Sequence, residues 1–199
     1  MKKTAAFILF FVFAGTLTAQ ESEKKPFFIE QGIVIGYGNG IDSVNLPEGN
    51  YKVAFLMAHM GIDLFRNKPA RKPIPGNCIL FFEPQVNPVF IKRKDGYRHA
   101  LEFGLNVGFQ HVYPLVENFL STYIFISTGP HFMSANTVRQ AKGFLFSDNF
   151  GAGIYLFPGK NAAINLGFRL RHMSNADTRS PNQGINTFNY LIGFSKFIR

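Results

Sequence analysis

The segment Leu101-Glu102-Phe103-Gly104-Leu105-Asn106-Val107-Gly108-Phe109-Gln110 alternates without a break. Side chains in an extended chain repeat every two residues, so Leu101, Phe103, Leu105, Val107 and Phe109 share one face while Glu102, Gly104, Asn106, Gly108 and Gln110 share the other. Residues 78–90 repeat the pattern, with Leu80, Phe82, Val86 and Phe90 set against Glu83, Gln85 and Asn87. Residues 162–174 set Ile164, Leu166, Phe168 and Leu170 against Asn165, Gly167, Arg169 and Arg171. One face is apolar and the other is polar or small.

Working outward, the chain divides into extended segments at roughly 27–38, 51–65, 78–90, 97–113, 119–133, 143–157, 162–174 and 185–198. Breaks fall at Gly38-Asn39-Gly40, Pro73-Ile74-Pro75-Gly76-Asn77, Lys94-Asp95-Gly96 and Pro158-Gly159-Lys160-Asn161. No segment has helical periodicity, and no internal repeat is present. A soluble sandwich also alternates, and a soluble lipocalin-like barrel with an apolar interior is the competing architecture. The polar face here mixes charges and amides with glycines, which suits a narrow lumen filled by a hydrogen-bonded network. Strands of about 11 to 15 residues are long for a soluble sheet and suit a tilted bilayer crossing. The expectation is an all-β, eight-stranded antiparallel transmembrane β-barrel.

The ends agree. Met1-Lys2-Lys3 is basic, Ala5 to Ala14 is an apolar run, and Thr16, Thr18 and Ala19 precede Gln20, the order of a secretory signal peptide. Cleavage after Ala19 leaves residues 20–199 as one barrel domain of about 180 residues. The apolar run is shorter than the ~20 residues a helix needs to span a bilayer. The lone Cys78 cannot staple the fold, so sheet and packing must hold it. Composition points the same way, with 24 Phe, 7 Tyr and 19 Gly but only 17% charged residues. The net charge of +9 favours anionic lipid or lipopolysaccharide phosphate as a partner, since an exported chain meets little nucleic acid.

With both ends in the periplasm, residues 39–50, 91–96, 134–142 and 175–184 face the cell exterior. The connection at 66–77 is longer than expected of a periplasmic turn. Lys92, Arg93, Lys94, Arg98, Arg139, Lys142 and Arg179 would then stand where lipid phosphates lie, either to meet them or simply to solvate loops. Arg66, Lys68, Arg71 and Lys72 fall in the opposite turn, where solvation is the reading. Gly36-Tyr37-Gly38-Asn39-Gly40 is followed by no helix and is no nucleotide loop. His59, His99, His111 and His131 lack metal-ligand spacing and read as structural.

His172 and Ser174 continue the lipid-facing stripe of segment seven to its outer end. Their Cα atoms lie about 6.5–7 Å apart in a strand, near enough for the imidazole to lean towards the hydroxyl. The next segment begins at Ile185-Asn186, and its even positions Asn186, Phe188, Tyr190, Ile192 and Phe194 form its lipid face. A hairpin therefore sets Asn186 beside His172 and Ser174 on an apolar wall, where polar groups are costly and need a reason. Hydrolysis by Ser174 as nucleophile and His172 as base is one reason. Inert side chains in the interfacial zone are the other.

His172-Met173-Ser174-Asn175-Ala176 followed by Asn182-Gln183-Gly184-Ile185-Asn186 resembles the His-x-Ser-Asn…Asn-x-Gly signature of the PagL-type lipid A 3-O-deacylases. A looser likeness runs upstream through Leu80-Phe81-Phe82-Glu83-Pro84, Gly129-Pro130-His131-Phe132 and Phe150-Gly151-Ala152-Gly153-Ile154. The resemblance implies an outer-membrane esterase acting on the 3-position acyl chain of lipid A from the outer wall of the barrel. It implies Ser174 as nucleophile and His172 as base, and makes Asn175 a candidate for the oxyanion, with loop N–H groups beside it. No metal or cofactor is called for, and a homodimer stays open. The family has a glutamate where this chain has Asn186, so the orienting role falls to this amide or to another residue such as Asp177. A non-catalytic small outer-membrane barrel with a surface or adhesion role is the alternative function.

Overall fold

Eight strands form where the alternation is strict: β1 (Glu30–Gly40), β2 (Tyr51–Asp63), β3 (Asn77–Arg93), β4 (Gly96–Val116), β5 (Leu120–Met133), β6 (Gly143–Gly159), β7 (Ala162–Ser174) and β8 (Ile185–Phe197). In the computed structural model each pairs antiparallel with its sequence neighbours, and β8 closes on β1, so the sheet is a closed barrel. The structure describes residues 29–41, 50–65 and 76–198. The expected signal peptide, the polar tail after it, and Arg66, Lys68, Arg71 and Lys72 lie outside the described residues.

Closure removes the sheet edges, so each strand pairs with a neighbour on both sides, as a hydrocarbon environment demands. The outer wall is apolar: Ile33, Ile35, Leu56, Phe103, Phe109, Ile124, Ile126, Phe150, Ile192 and Phe194 are all exposed. The faces fall as the alternation predicts, with Leu101, Phe103, Leu105 and Phe109 outward and Glu102, Asn106 and Gln110 buried. A lipocalin-like barrel would reverse them.

The connections separate the two ends. β3 and β4 run further than their sequence pattern suggests and meet in a two-residue turn, Lys94-Asp95, before Gly96 at φ +133°. That conformation favours glycine. Lys92 and Arg93 consequently lie on β3 rather than in a loop, and Arg93 donates to the carbonyl of Asn136 at 3.0 Å. At the opposite end β6 and β7 are joined through Lys160-Asn161, and the pairing slips between Leu156 and Gly159.

Inside, charge occupies the middle and apolar packing the two ends. Arg169 donates to Glu83 at 2.6 Å, and His59 joins Glu83 (3.0 Å) to Glu30 (3.4 Å). Arg171 donates to Glu102 at 2.6 Å, and Tyr51, Asn87 and His131 complete the shell of that carboxylate. The guanidinium groups also stack on aromatic faces, Arg169 on Phe125 at 5.0 Å and Arg171 on Phe55 at 4.9 Å. Glycine at 104 makes room, because a Cβ there would collide with the His131 ring. Towards the loop-bearing end Val53, Met57, Ile91, Met133, Leu145 and Met173 pack together. Towards the other, Ile79, Phe81, Phe125, Tyr155 and Phe197 do so. Between His59, Glu83 and Arg169 the remaining void is about 10 Å³, room for one water at most.

A buried charge left alone is far more costly than a buried pair. Glu102→Ala strands Arg171 and is expected to destabilise the barrel by roughly 3–5 kcal/mol, read from urea unfolding in lipid vesicles, whereas Glu102→Leu combined with Arg171→Met restores most of the loss. Equal stability of the single variant and the wild type would show that the pair is not what holds these strands.

Candidate active site

The outer end of β7 is where the apolar wall is interrupted. Arg169 and Arg171 point inward and are buried, which by alternation turns Leu170, His172 and Ser174 outward. The register pairs His172 with Asn186 on β8, and the imidazole Nδ1 lies 2.7 Å from Asn186 Oδ1. An amide oxygen only accepts, so Nδ1 carries a hydrogen, and in the neutral ring this selects the tautomer whose lone pair is on Nε2. The ring lies against Gly184: a Cβ built there would stand 2.6 Å from Cε1 and 3.3 Å from Nε2. The ring edge that carries Cε1 and Nε2 is thus turned towards Gly184, immediately before β8.

Ser174 is half-buried on the same face and pairs with Phe146 of β6. Among the described residues its hydroxyl makes no hydrogen bond to His172. Histidine, serine and asparagine therefore share one patch, with the imidazole–amide contact already formed and the imidazole–hydroxyl contact still open. Contacts of this kind are often long before substrate binds.

Asn175 does not face this patch. Alternation carries one residue beyond Ser174 and turns its side chain inward, where it is 2% exposed. Its Nδ2 donates to the carbonyl of Arg179 at 2.6 Å, and its backbone N–H donates to Asn182 Oδ1 at 2.9 Å, so it ties the β7–β8 loop together. Asn182 in turn donates from Nδ2 to Asp177 Oδ1 at 2.9 Å. Asp177 is engaged in the loop, away from the imidazole's partner. Ala176 and Asp177 both adopt left-handed φ values, 51° and 59°. Their N–H groups find no acceptor among the described residues.

A second loop braces the first. Gln140 bridges to Asn182, Gln183 N–H donates to the Arg139 carbonyl, and Ala141 N–H donates to that of Pro181. Arg139 donates to the carbonyls of Gly184 (3.3 Å) and Gln183 (3.2 Å), and Arg179 donates to that of Lys142 (3.4 Å). Two of the basic residues read as either meeting phosphate or solvating loops, Arg139 and Arg179, are thus engaged in joining the loops. Below the patch a groove of about 440 Å³ runs between Ile41, Asp148, Phe150, Leu170, His172 and Asn186. Asp148 was not visible as a site residue from the sequence; β6 places it beside His172 on the side opposite Asn186.

The family profile described as lipid A 3-O-deacylase (PagL) matches residues 88–195, more than half of the chain. No curated protein matches by sequence. Among solved structures, that titled as the outer membrane enzyme PagL aligns over 85% of this chain and 99% of its own, with a TM-score of 0.53 at 15% identity. Neisserial surface protein A aligns over 86% of this chain and 96% of its own, with a TM-score of 0.54 at 9% identity. At such identities these structures speak to the fold alone, and they place it among outer-membrane barrels.

Gly184 has φ +73°, and alanine there is strained as well as crowded, at a cost of about 1–2 kcal/mol. Gly184→Ala is expected to push the imidazole off Asn186 while the barrel stays folded. The side-chain ¹⁵N–¹H pattern of His172 in micelles should change; an unaltered pattern would mean that the ring does not rest on this glycine.

Proposed function

Because the chain belongs to the lipid A 3-O-deacylase (PagL) family and is a bacterial outer-membrane barrel, we propose that it hydrolyses the ester at the 3-position of lipid A with Ser174 as nucleophile and His172 as general base, on the lipid-facing wall. The observation that carries this reading is the 2.7 Å contact of His172 Nδ1 with Asn186 Oδ1, which in the neutral ring selects Nε2 as the basic nitrogen, with a serine on the same outward face.

The substrate approaches sideways, within the leaflet. Its acyl chain lies along the groove beside Phe150 and Leu170, and its ester carbonyl reaches the level of Ser174. Closing the gap between Ser174 Oγ and His172 Nε2 is then a side-chain rotation. As Oγ bonds to the carbonyl carbon, its proton passes to Nε2 and the carbonyl oxygen becomes an oxyanion, received by the loop N–H groups of Ala176 and Asp177. Collapse breaks the bond to the sugar 3-oxygen, which takes the proton from the imidazolium and leaves an acyl-serine. A water then repeats the sequence: it loses a proton to Nε2, attacks the acyl carbon and releases the 3-hydroxy fatty acid, while Ser174 recovers its proton. The sum is ester plus water to acid plus alcohol.

Asn186 holds the imidazole in the useful tautomer, a task an amide can perform. Asn175 contributes by fixing the loop rather than by touching the oxyanion.

The test is mass spectrometry of lipid A from cells making the protein. Loss of one 3-hydroxyacyl group is expected with the wild type, and Ser174→Ala and His172→Ala should each lower the rate by roughly 10³-fold or more. An unchanged acyl pattern with a folded wild-type barrel would overturn the assignment and leave a non-catalytic surface barrel.

A further inference from the structure

The wall beside His172 carries more than the histidine needs for orientation. Thr128 on β5, Asp148 on β6, His172 on β7 and Asn186 on β8 are direct partners in successive strand pairs. They form one polar row across four strands, and all four project outward. Along β6 the row cuts an aromatic stripe, since Phe144, Phe146 and Phe150 are exposed on the same face as Asp148. A carboxylate set among lipid-facing aromatics is disfavoured unless something uses its charge.

Among the described residues no side chain neutralises it. Thr128 Oγ1 donates to Asp148 Oδ1 at 2.6 Å, and among the described residues no cation pairs with Asp148. The imidazole of His172 is its direct cross-strand partner, and such partners have Cα atoms about 4.5–5.5 Å apart. Asn186, on the other side, offers a dipole and no charge.

We propose that Asp148 is a positioning residue for the reaction: it supplies the negative charge that steadies the His172 imidazolium, while Asn186 supplies the orientation. The two roles, united in one carboxylate in a serine–histidine–acid triad, are divided here between the strands on either side of the histidine. Thr128 sets the carboxylate by its hydrogen bond. The charge acts while His172 holds the proton taken from Ser174, before the departing 3-oxygen receives it, so it lowers the barrier without contributing to substrate affinity.

This rests on the Ser174–His172 reading, and the experiment separates the two. Purified full-length protein is assayed on lipid A in mixed detergent micelles, following fatty acid release, with heat-modifiable gel migration as the check of folding. Asp148→Asn is expected to lower kcat by roughly 100-fold at unchanged KM, the size of a unit-charge interaction across ~5–6 Å at an effective dielectric near 20. Asp148→Glu should stay within about threefold of wild type. Adding Asn186→Glu to Asp148→Asn should recover most of the loss by returning a carboxylate to the other flank. Should Asp148→Asn not fold, Asp148→Ser is measured in the same way. Wild-type kcat in Asp148→Asn beside an inactive Ser174→Ala overturns the role of Asp148 alone. A loss expressed in KM, or one that Asn186→Glu does not relieve, does the same. Activity in Ser174→Ala overturns the underlying mechanism and this inference with it.

Discussion

β7 is held from within. Arg169 and Arg171 reach across the lumen to Glu83 on β3 and Glu102 on β4, and these contacts fix both the rotation and the height of the strand whose other face carries His172 and Ser174. Strand parity makes the two arrangements one constraint: if the arginines are inside, the histidine and serine are outside. A one-residue slip would bury the imidazole and push two guanidinium groups into lipid, at several kcal/mol each near the midplane. The register of His172 and Ser174 is therefore guarded by charges buried on the opposite face of the same strand.

The same constraint explains why the loops can be irregular. With β7 and β8 aligned by the barrel, the segment after Ser174 needs no regular structure, and it is tied by Asn175, Asn182 and the braces from Arg139. Precision resides in strands, which are rigid, and the loop is fastened to a second loop so that it shares some of that rigidity.

Much of this was legible in the sequence because side-chain alternation is a local property. The number and order of the strands, the outward faces of β3, β4 and β7, and the meeting of His172 with Asn186 all follow from parity and from a regular β7–β8 hairpin, although β3 and β4 extend beyond their alternating cores. Three features were not legible. The apolar layers at the two ends of the lumen interrupt the simple division into a polar inside and an apolar outside, since Val53, Phe55 and Met57 point inward. Asn175 read as a site residue from its motif, but parity past the strand end sends it into the loop. Asp148 depends on a long-range register: counting from the pair Gly159 and Ala162 would set it opposite inward-facing Met173, and the slip between Leu156 and Gly159 brings it opposite His172 instead. No local pattern announces such a slip.

The packed centre of the lumen has a consequence for how such a protein would be supplied. With no conduit through the middle of the barrel, lipid reactants and fatty products reach and leave the wall by lateral diffusion in a two-dimensional sheet. Turnover then follows the mole fraction of acylated lipid in that sheet rather than its amount per volume of solution. Inert lipid added to the same leaflet would slow the reaction by surface dilution alone, with every residue of the wall unchanged.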